Sequence, residues 1–249
     1  MLELYTFAPS TCSQKVRLLL AEKGLDFEEH VLNSAKNEHL SEEYLKLNPN
    51  GVVPTLVHDG NVIIESAVIL EYLEEVFPEP PKAPRDAVGR AKMRAWIHFF
   101  EEFAVPAVRY PTFQKYLRHN FKDKDKNEQI QKRPLKSDFY TRMLREDGFT
   151  DTEMEKAFAD IRLTVTRMEE ALAKGGPYLM GKEWTLADAC VTPAIDRMND
   201  LGHSHLWEDL PHVKAWIEAI RARPSFDKAY YPGARMSEIY EKKAGAAAE

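Results

Sequence analysis

The nineteen residues from Asn48 to Ser66, NPNGVVPTLVHDGNVIIES, leave the backbone few options. Asp59-Gly60 separates two β-rich runs, Thr55–His58 and Asn61–Ile64. A two-residue Asp-Gly link between such runs is the signature of a type I′ hairpin, because both central residues must take positive φ. Pro54 stands at the entry of the first strand, where a missing N–H costs least. A cis Val53–Pro54 bond, the inexpensive isomer only before proline, turns the Val53 N–H and C=O outward. Glu65-Ser66 then opens an apolar-periodic helix, and a helix start gathers unpaired N–H groups that favour an anion. A backbone donor–acceptor pair, a hydroxyl, a carboxylate and a helix end suit a small zwitterionic peptide. An ordinary surface hairpin with a helix cap fits the same residues.

On either side of this stretch the pattern divides the chain in two. Leu2 to Phe7 alternates and predicts a strand, and Ala8-Pro9-Ser10-Thr11 breaks it. Cys12 to Lys23 follows as a helix stopped by Gly24, Asp26 to Leu32 as a second strand, and Ser41 to Leu47 as a short helix with Ser41 as its cap. The order βαβα then ββα predicts a thioredoxin-like α/β domain over residues 1–76. Residues 77–85, FPEPPKAPR, hold four prolines and mark a linker. Residues 86–249 carry no convincing strand pattern and predict an all-helical domain. Within it, Asp86 to about Tyr116 is one long helical stretch interrupted at Pro106 and Pro111. Thr152 to Lys174 is a second long amphipathic helix. Thr185-Leu186-Ala187-Asp188 is a capping-box-like start, and Leu210-Pro211 and Arg223-Pro224 punctuate two last helices. The final residues 242–249 are expected to fray.

Composition narrows the functional classes. A length of 249 residues accommodates domains of about 80 and 150. Two cysteines, Cys12 and Cys190, make neither a disulfide framework nor a metal set, and they favour a reducing, cytoplasmic setting. A net charge of −6 argues against a general nucleic-acid binder. The absence of a long apolar run argues against a membrane span, and the opening residues lack the shape of a secretory signal. Residues 115–136 are rich in Lys and Arg; a basic collar for an acidic substrate and a solvated loop both fit, and a solvated loop is the commoner outcome of such a run.

The loop Ala8-Pro9-Ser10-Thr11-Cys12-Ser13-Gln14-Lys15-Val16-Arg17 carries the reactive groups. Its hydroxyls lie at a helix N-terminus, where a thiolate is favoured over a thiol and one hydroxyl hydrogen bond favours it further. That suffices to bring a thiol pKa of about 8.5 toward neutrality. Any one of Ser10, Thr11 and Ser13 also serves as a simple helix cap.

NPNGVVPTLVHDGNVIIESAVILEYLEE resembles the cis-proline and Glu-Ser segment of the cytosolic glutathione transferases, N-P-x-x-x-V-P-x-L…D/E-S-x-x-I-x-x-Y-L. The first loop resembles the serine-type classes, above all the zeta-like S-S-C-S-x-x-V-R. The resemblance puts Ser10 on the catalytic serine, Thr11 beside it, and Ser13 where the bacterial β-aryl etherase branch brings a hydroxyl toward the sulfur. Tyr5 is a weaker candidate, because it sits inside an alternating strand. By the same resemblance Glu65 pairs with the ammonium of glutathione, and Ser66 with the helix amide holds the γ-glutamyl carboxylate. Val53, preceding cis Pro54, pairs with the cysteinyl segment, and His39, in a theta-like His-Leu-Ser, meets the glycyl carboxylate. Asp188 is implied to be a folding cap. A pocket for a hydrophobic electrophile is expected between the domains, faced by Phe99, Phe103, Val108, Tyr110 and Phe113 of the first long helical stretch, with Phe103 and above all Tyr110, next to Pro111, on its wall; helix–helix core fits most of the five as well. A homodimer is the family's habit. The segment from Lys132 to Phe149 resembles, more loosely, the long connection of the β-etherases, so that β-ether cleavage joins conjugation as an implied activity. Two other classes remain: a glutathione-dependent thiol–disulfide oxidoreductase working through Cys12, and a non-catalytic binding module.

Overall fold

A computed structural model describes residues 1–121, 125–133 and 136–246. Strand β1 (Leu2–Thr6) leads into helix α1 (Thr11–Lys23), then β2 (Glu28–Val31), the short helix α2 (Glu42–Leu47), β3 (Thr55–His58), β4 (Asn61–Ile64) and α3 (Ser66–Val76). The sheet order is β2-β1-β3-β4, with β2 parallel to β1 and the other two pairings antiparallel. The hairpin register pairs His58 with Asn61, and Asp59 and Gly60 take φ of 49° and 80°, as a type I′ turn requires. Alternation along β1 puts Leu2, Leu4 and Thr6 into the core, while Tyr5 faces α2 through Tyr44, 5.9 Å between ring centroids.

The helical part begins with α4 (Ala87–Glu102), capped by Asp86, whose carboxylate accepts from the Gly89 N–H at 2.8 Å. Next come α5 (Ala104–Ala107), α6 (Arg109–Thr112) and a π-helical turn, Phe113–Leu117. The expected single stretch is therefore three helices and a turn. A proline withholds its N–H from the carbonyl four residues back and crowds it. Four residues before Pro106 is Glu102, the last residue of α4; four before Pro111 is Ala107, the last of α5. The prolines end the helices a turn before themselves.

Two short helices follow, α7 (Lys126–Gln131) and α8 (Ser137–Met143), then the long α9 (Asp151–Leu172) and α10 (Leu186–Asp200). Helix α9 starts at a capping box of Thr150 and Glu153, just ahead of the expected Thr152. At the head of α10 the buried Asp188 accepts from the Thr185 N–H and hydroxyl, the Leu179 N–H and the Trp216 indole N–H. It ties three segments together as a cap. Helices α11 (Pro211–Arg221), α12 (Pro224–Ala229) and α13 (Met236–Ala246) complete the chain. The tail expected to fray from residue 242 is helical to Ala246, and residues 247–249 lie outside the described part.

Helix α1 is the element on which both parts pack: it lies against α3 on one side and against α10 and α12 on the other. Val16, Leu18, Leu19 and Leu20 are buried, and so are the polar residues Gln14, Lys15, Arg17 and Lys23. Buried charges persist only when paired. Lys15 pairs with Glu101 of α4, and Arg17 with Glu29 at 2.8 Å. Lys23 pairs with Glu74 at 2.6 Å and donates to the Phe77 and Pro80 carbonyls of the proline-rich linker. Glu22 accepts from Arg223 and Ser225 beside α12 and from Lys82 of the linker. Burial works against its charge, yet these three donors hold its pKa at about 2, down from 4.5.

Because folding lowers the Glu22 pKa, its contribution is complete above about pH 4.5 and is lost as the pH falls toward 2. Glu22→Gln should cost about 3 kcal/mol at pH 7, and the gap from wild type should shrink below pH 4. Urea unfolding at pH 7 and pH 3 measures both; an equal gap at the two values contradicts the assignment.

Candidate active site

Between β1 and α1 the chain turns through Phe7–Ser10, closed by the Ser10 N–H donating to the Phe7 carbonyl at 3.0 Å. Ser10 is the N-cap of α1, with extended backbone (φ −72°, ψ 120°), and its Oγ accepts from the Ser13 N–H at 3.3 Å. Using the oxygen as acceptor leaves the hydroxyl proton available to donate. Two arginines fix the loop's backbone from behind: Arg17 donates to the Ala8 carbonyl at 2.5 Å, and Arg197 of α10 donates to the Pro9 carbonyl.

The facing wall is the turn before β3. Asn48 and Tyr44 both donate to the Val52 carbonyl, at 2.9 and 2.7 Å. Gly51 has φ 58°, and a Cβ there would stand 2.7 Å from Leu40 Cδ2, so any other residue is strained at this turn. The Val53–Pro54 bond is cis. Past the hairpin, Glu65 holds φ 69° in a non-glycine residue, a conformation that clusters at functional sites. Its exposed carboxylate accepts from Asn50 Nδ2 at 3.4 Å, and Ser66 is buried at the first turn of α3.

Between the two walls lies a cavity of about 540 Å³. Ser10, Thr11, Cys12, His39 and Val53 line it. Ser13 does not: it is fully buried, and its Oγ has no partner among the described residues. Pro54, Glu65 and Ser66 lie outside the lining. Tyr5 is also outside it, stacked on His30 at 4.5 Å. His39 is buried, edge-on to Phe7 at 5.1 Å, with Arg133 Nη2 at 3.4 Å from its Nε2.

Of the residues expected toward the second-substrate pocket, Phe103 and Tyr110 lie outside the lining of this cavity. Phe103 packs on Phe99 at 5.0 Å in the main core. Tyr110 packs on Phe149 at 4.6 Å in a small satellite core around Met143 and Leu144. Val108 and Phe113 of the same stretch line the cavity, and Arg109 and Thr112 line it beside them. Phe139 and Tyr140 of α8 and Met236, Ile239 and Tyr240 of α13 close it.

The basic segment divides likewise. Lys115 pairs with Glu241 at 3.5 Å, away from the cavity, whereas Arg133 and Lys136 line it. Residues 122–124 and 134–135 of the segment lie outside the described part. Arg133 stacks over Tyr140, 4.8 Å to the ring centroid. Burial first, and then the nearby Arg109 charge, press the Lys136 amine down from 10.5 to about 8, with Cys12 and Glu65 acting in the opposite sense. Burial pushes the other thiol, Cys190, up to about 12, so it is inert. No helix among the described residues is long and apolar enough to cross a membrane.

Residues 9–76 match the family model for the glutathione S-transferase N-terminal domain, and residues 151–219 match that for its C-terminal domain. Protein LigF of Sphingobium sp. strain SYK-6 is 33% identical over 239 residues, covering 92% of this chain and 93% of the relative. The crystal structure of that protein, described as a β-etherase, superposes with a TM-score of 0.83 over 92% of this chain and 98% of the other. A zeta-class glutathione S-transferase of Euphorbia esula is 36% identical over 136 residues, 48% of this chain and 60% of that one. A stringent starvation protein A homologue of Pasteurella multocida is 28% identical over 93% of this chain and 90% of its own length. With the sheet, the helical part and the cis-proline wall in place, the chain belongs to the glutathione S-transferase family, whose co-substrate is glutathione.

Proposed function

We propose that this chain is a glutathione transferase in which the Ser10 hydroxyl and the N-terminus of α1 hold the glutathione sulfur as a thiolate. The observation that carries the reading is the N-cap geometry: Ser10 lines the cavity, its oxygen is engaged by the Ser13 N–H, and its proton remains free to donate. Thr11 lines the cavity beside it, while the buried Ser13 is the weakest of the three hydroxyls. Glu65 takes the ammonium, Ser66 and the start of α3 take the γ-glutamyl carboxylate, and the Val53 backbone takes the cysteinyl segment. His39, supported by Arg133, meets the glycyl carboxylate.

The thiolate attacks an electrophilic carbon of a largely apolar molecule lying against Phe113, Phe139 and Tyr140. Likeness to the β-etherase LigF along nearly the whole chain supports aryl ether cleavage as the reaction. There a C–S bond forms as the C–O bond breaks, and the aryloxide leaves and takes a proton from solvent. A second reading rests on Cys12, which lines the same cavity at the first turn of α1: a thiol there is suited to mixed-disulfide exchange with glutathione. Membership of the family also supports a two-fold homodimer.

Ser10→Ala should raise the pKa of the bound glutathione thiol by about one unit or more, read as thiolate absorbance on titration. Thr11→Ala and Ser13→Ala should move it less. An unchanged pKa in Ser10→Ala removes the proposed role. Cys12→Ser should retain the reduction of a small glutathione mixed disulfide at wild-type rate; loss of that activity selects the second reading. Substitutions in the loop that leave every turnover at background would leave a binding module.

A further inference from the structure

The chain carries 40 acidic and 34 basic residues, yet the cavity inverts that balance. Arg109, Arg133, Lys136 and Arg197 line it, and no Asp or Glu does so among the described residues. Two of the four are already engaged. Arg197 faces Asp200 at 3.9 Å and holds the Pro9 carbonyl, and Arg133 stacks on Tyr140 beside His39. Arg109 and Lys136 have no carboxylate within ion-pair distance among the described residues. Two half-buried like charges held together repel each other and are partly desolvated, and an anion between them offsets both costs.

Glutathione does not supply that anion under the reading above, on which this inference rests. One of its carboxylates belongs to Ser66 and the start of α3, the other to His39 and Arg133. We propose that the electrophile accepted here is an aromatic acid, whose carboxylate is gripped by Arg109 and Lys136 while its ring lies on Phe113 and Phe139. Arg109 opens α6 and Lys136 precedes α8, so the two cations approach the ligand from separate elements. The depressed amine of Lys136 is the mark of a cation short of such a partner.

The test compares two ready-made conjugates on the full-length protein by calorimetry: S-(4-carboxy-2,6-dinitrophenyl)glutathione and its aryl methyl ester. Neither titration depends on turnover. The acid should bind about tenfold more tightly than the ester, the scale of one charge-assisted contact. That ratio should fall toward one in Arg109→Gln/Lys136→Gln and partway in each single variant. Equal affinities in the wild type overturn the proposal, and that arm decides even if the double variant fails to fold. An acid preference that survives in the folded double variant overturns it as well. Titration with glutathione itself separates the two levels: no binding there sinks the transferase reading, whereas binding of glutathione with no acid preference sinks only the carboxylate grip.

Discussion

The geometry of this site hangs on two guanidinium groups that hold adjacent carbonyls. Arg17 binds the Ala8 oxygen and Arg197 the Pro9 oxygen, one from within α1 and one from α10. Both are nearly buried, so neither can be released to water cheaply. Together they set where β1 gives way to α1, and hence where the Ser10 hydroxyl and the helix's positive end point. The wall opposite is held by the same kind of contact, with Tyr44 and Asn48 converging on the Val52 carbonyl. A reactive sulfur placed between two backbones fixed in this way meets donors that need not reorganise when charge develops.

Helix α1 extends this logic to the whole molecule. Its inner face is apolar, but its charged residues are anchored outward, Lys15 in α4, Arg17 in β2 and Glu22 beside α12. The Lys15 and Glu22 anchors cross from the sheet-bearing part to the helices, and the Arg17 anchor ties α1 to β2. The cavity sits at the end of this helix, so the packing of the two parts and the aim of the β1–α1 loop are one problem with one solution.

How much of this was legible in the sequence follows from the range of each signal. Asp59-Gly60, Pro54, Ser41 and the Gly24 stop act on their neighbours, and each element they mark is present. Ser10, Cys12, His39 and Val53 reach the cavity because strand–loop–helix turns place them there with little help from afar. Which residues of the early helical stretch face the cavity is also decided locally, but on a finer scale, and Phe103 and Tyr110 lie outside its lining. Pro106 and Pro111 mark where the stretch breaks, but not how far each break turns the chain, and that turn decides which side chains meet the cavity. Arg133 and Lys136 were hidden differently. In a run of lysines and arginines nothing marks the two that fold inward, since tertiary contacts alone bring them to the cavity. Net charge is silent about the site in the same way: −6 over the chain coexists with a cavity lined by cations.

One structure tests the central claim most directly, that of the protein with glutathione bound. The account predicts the sulfur within about 3.5 Å of Ser10 Oγ, and the γ-glutamyl end at Ser66 and the start of α3. A sulfur out of reach of Ser10 and set against Cys12, or a tripeptide seated away from the cis Val53–Pro54 wall, contradicts it.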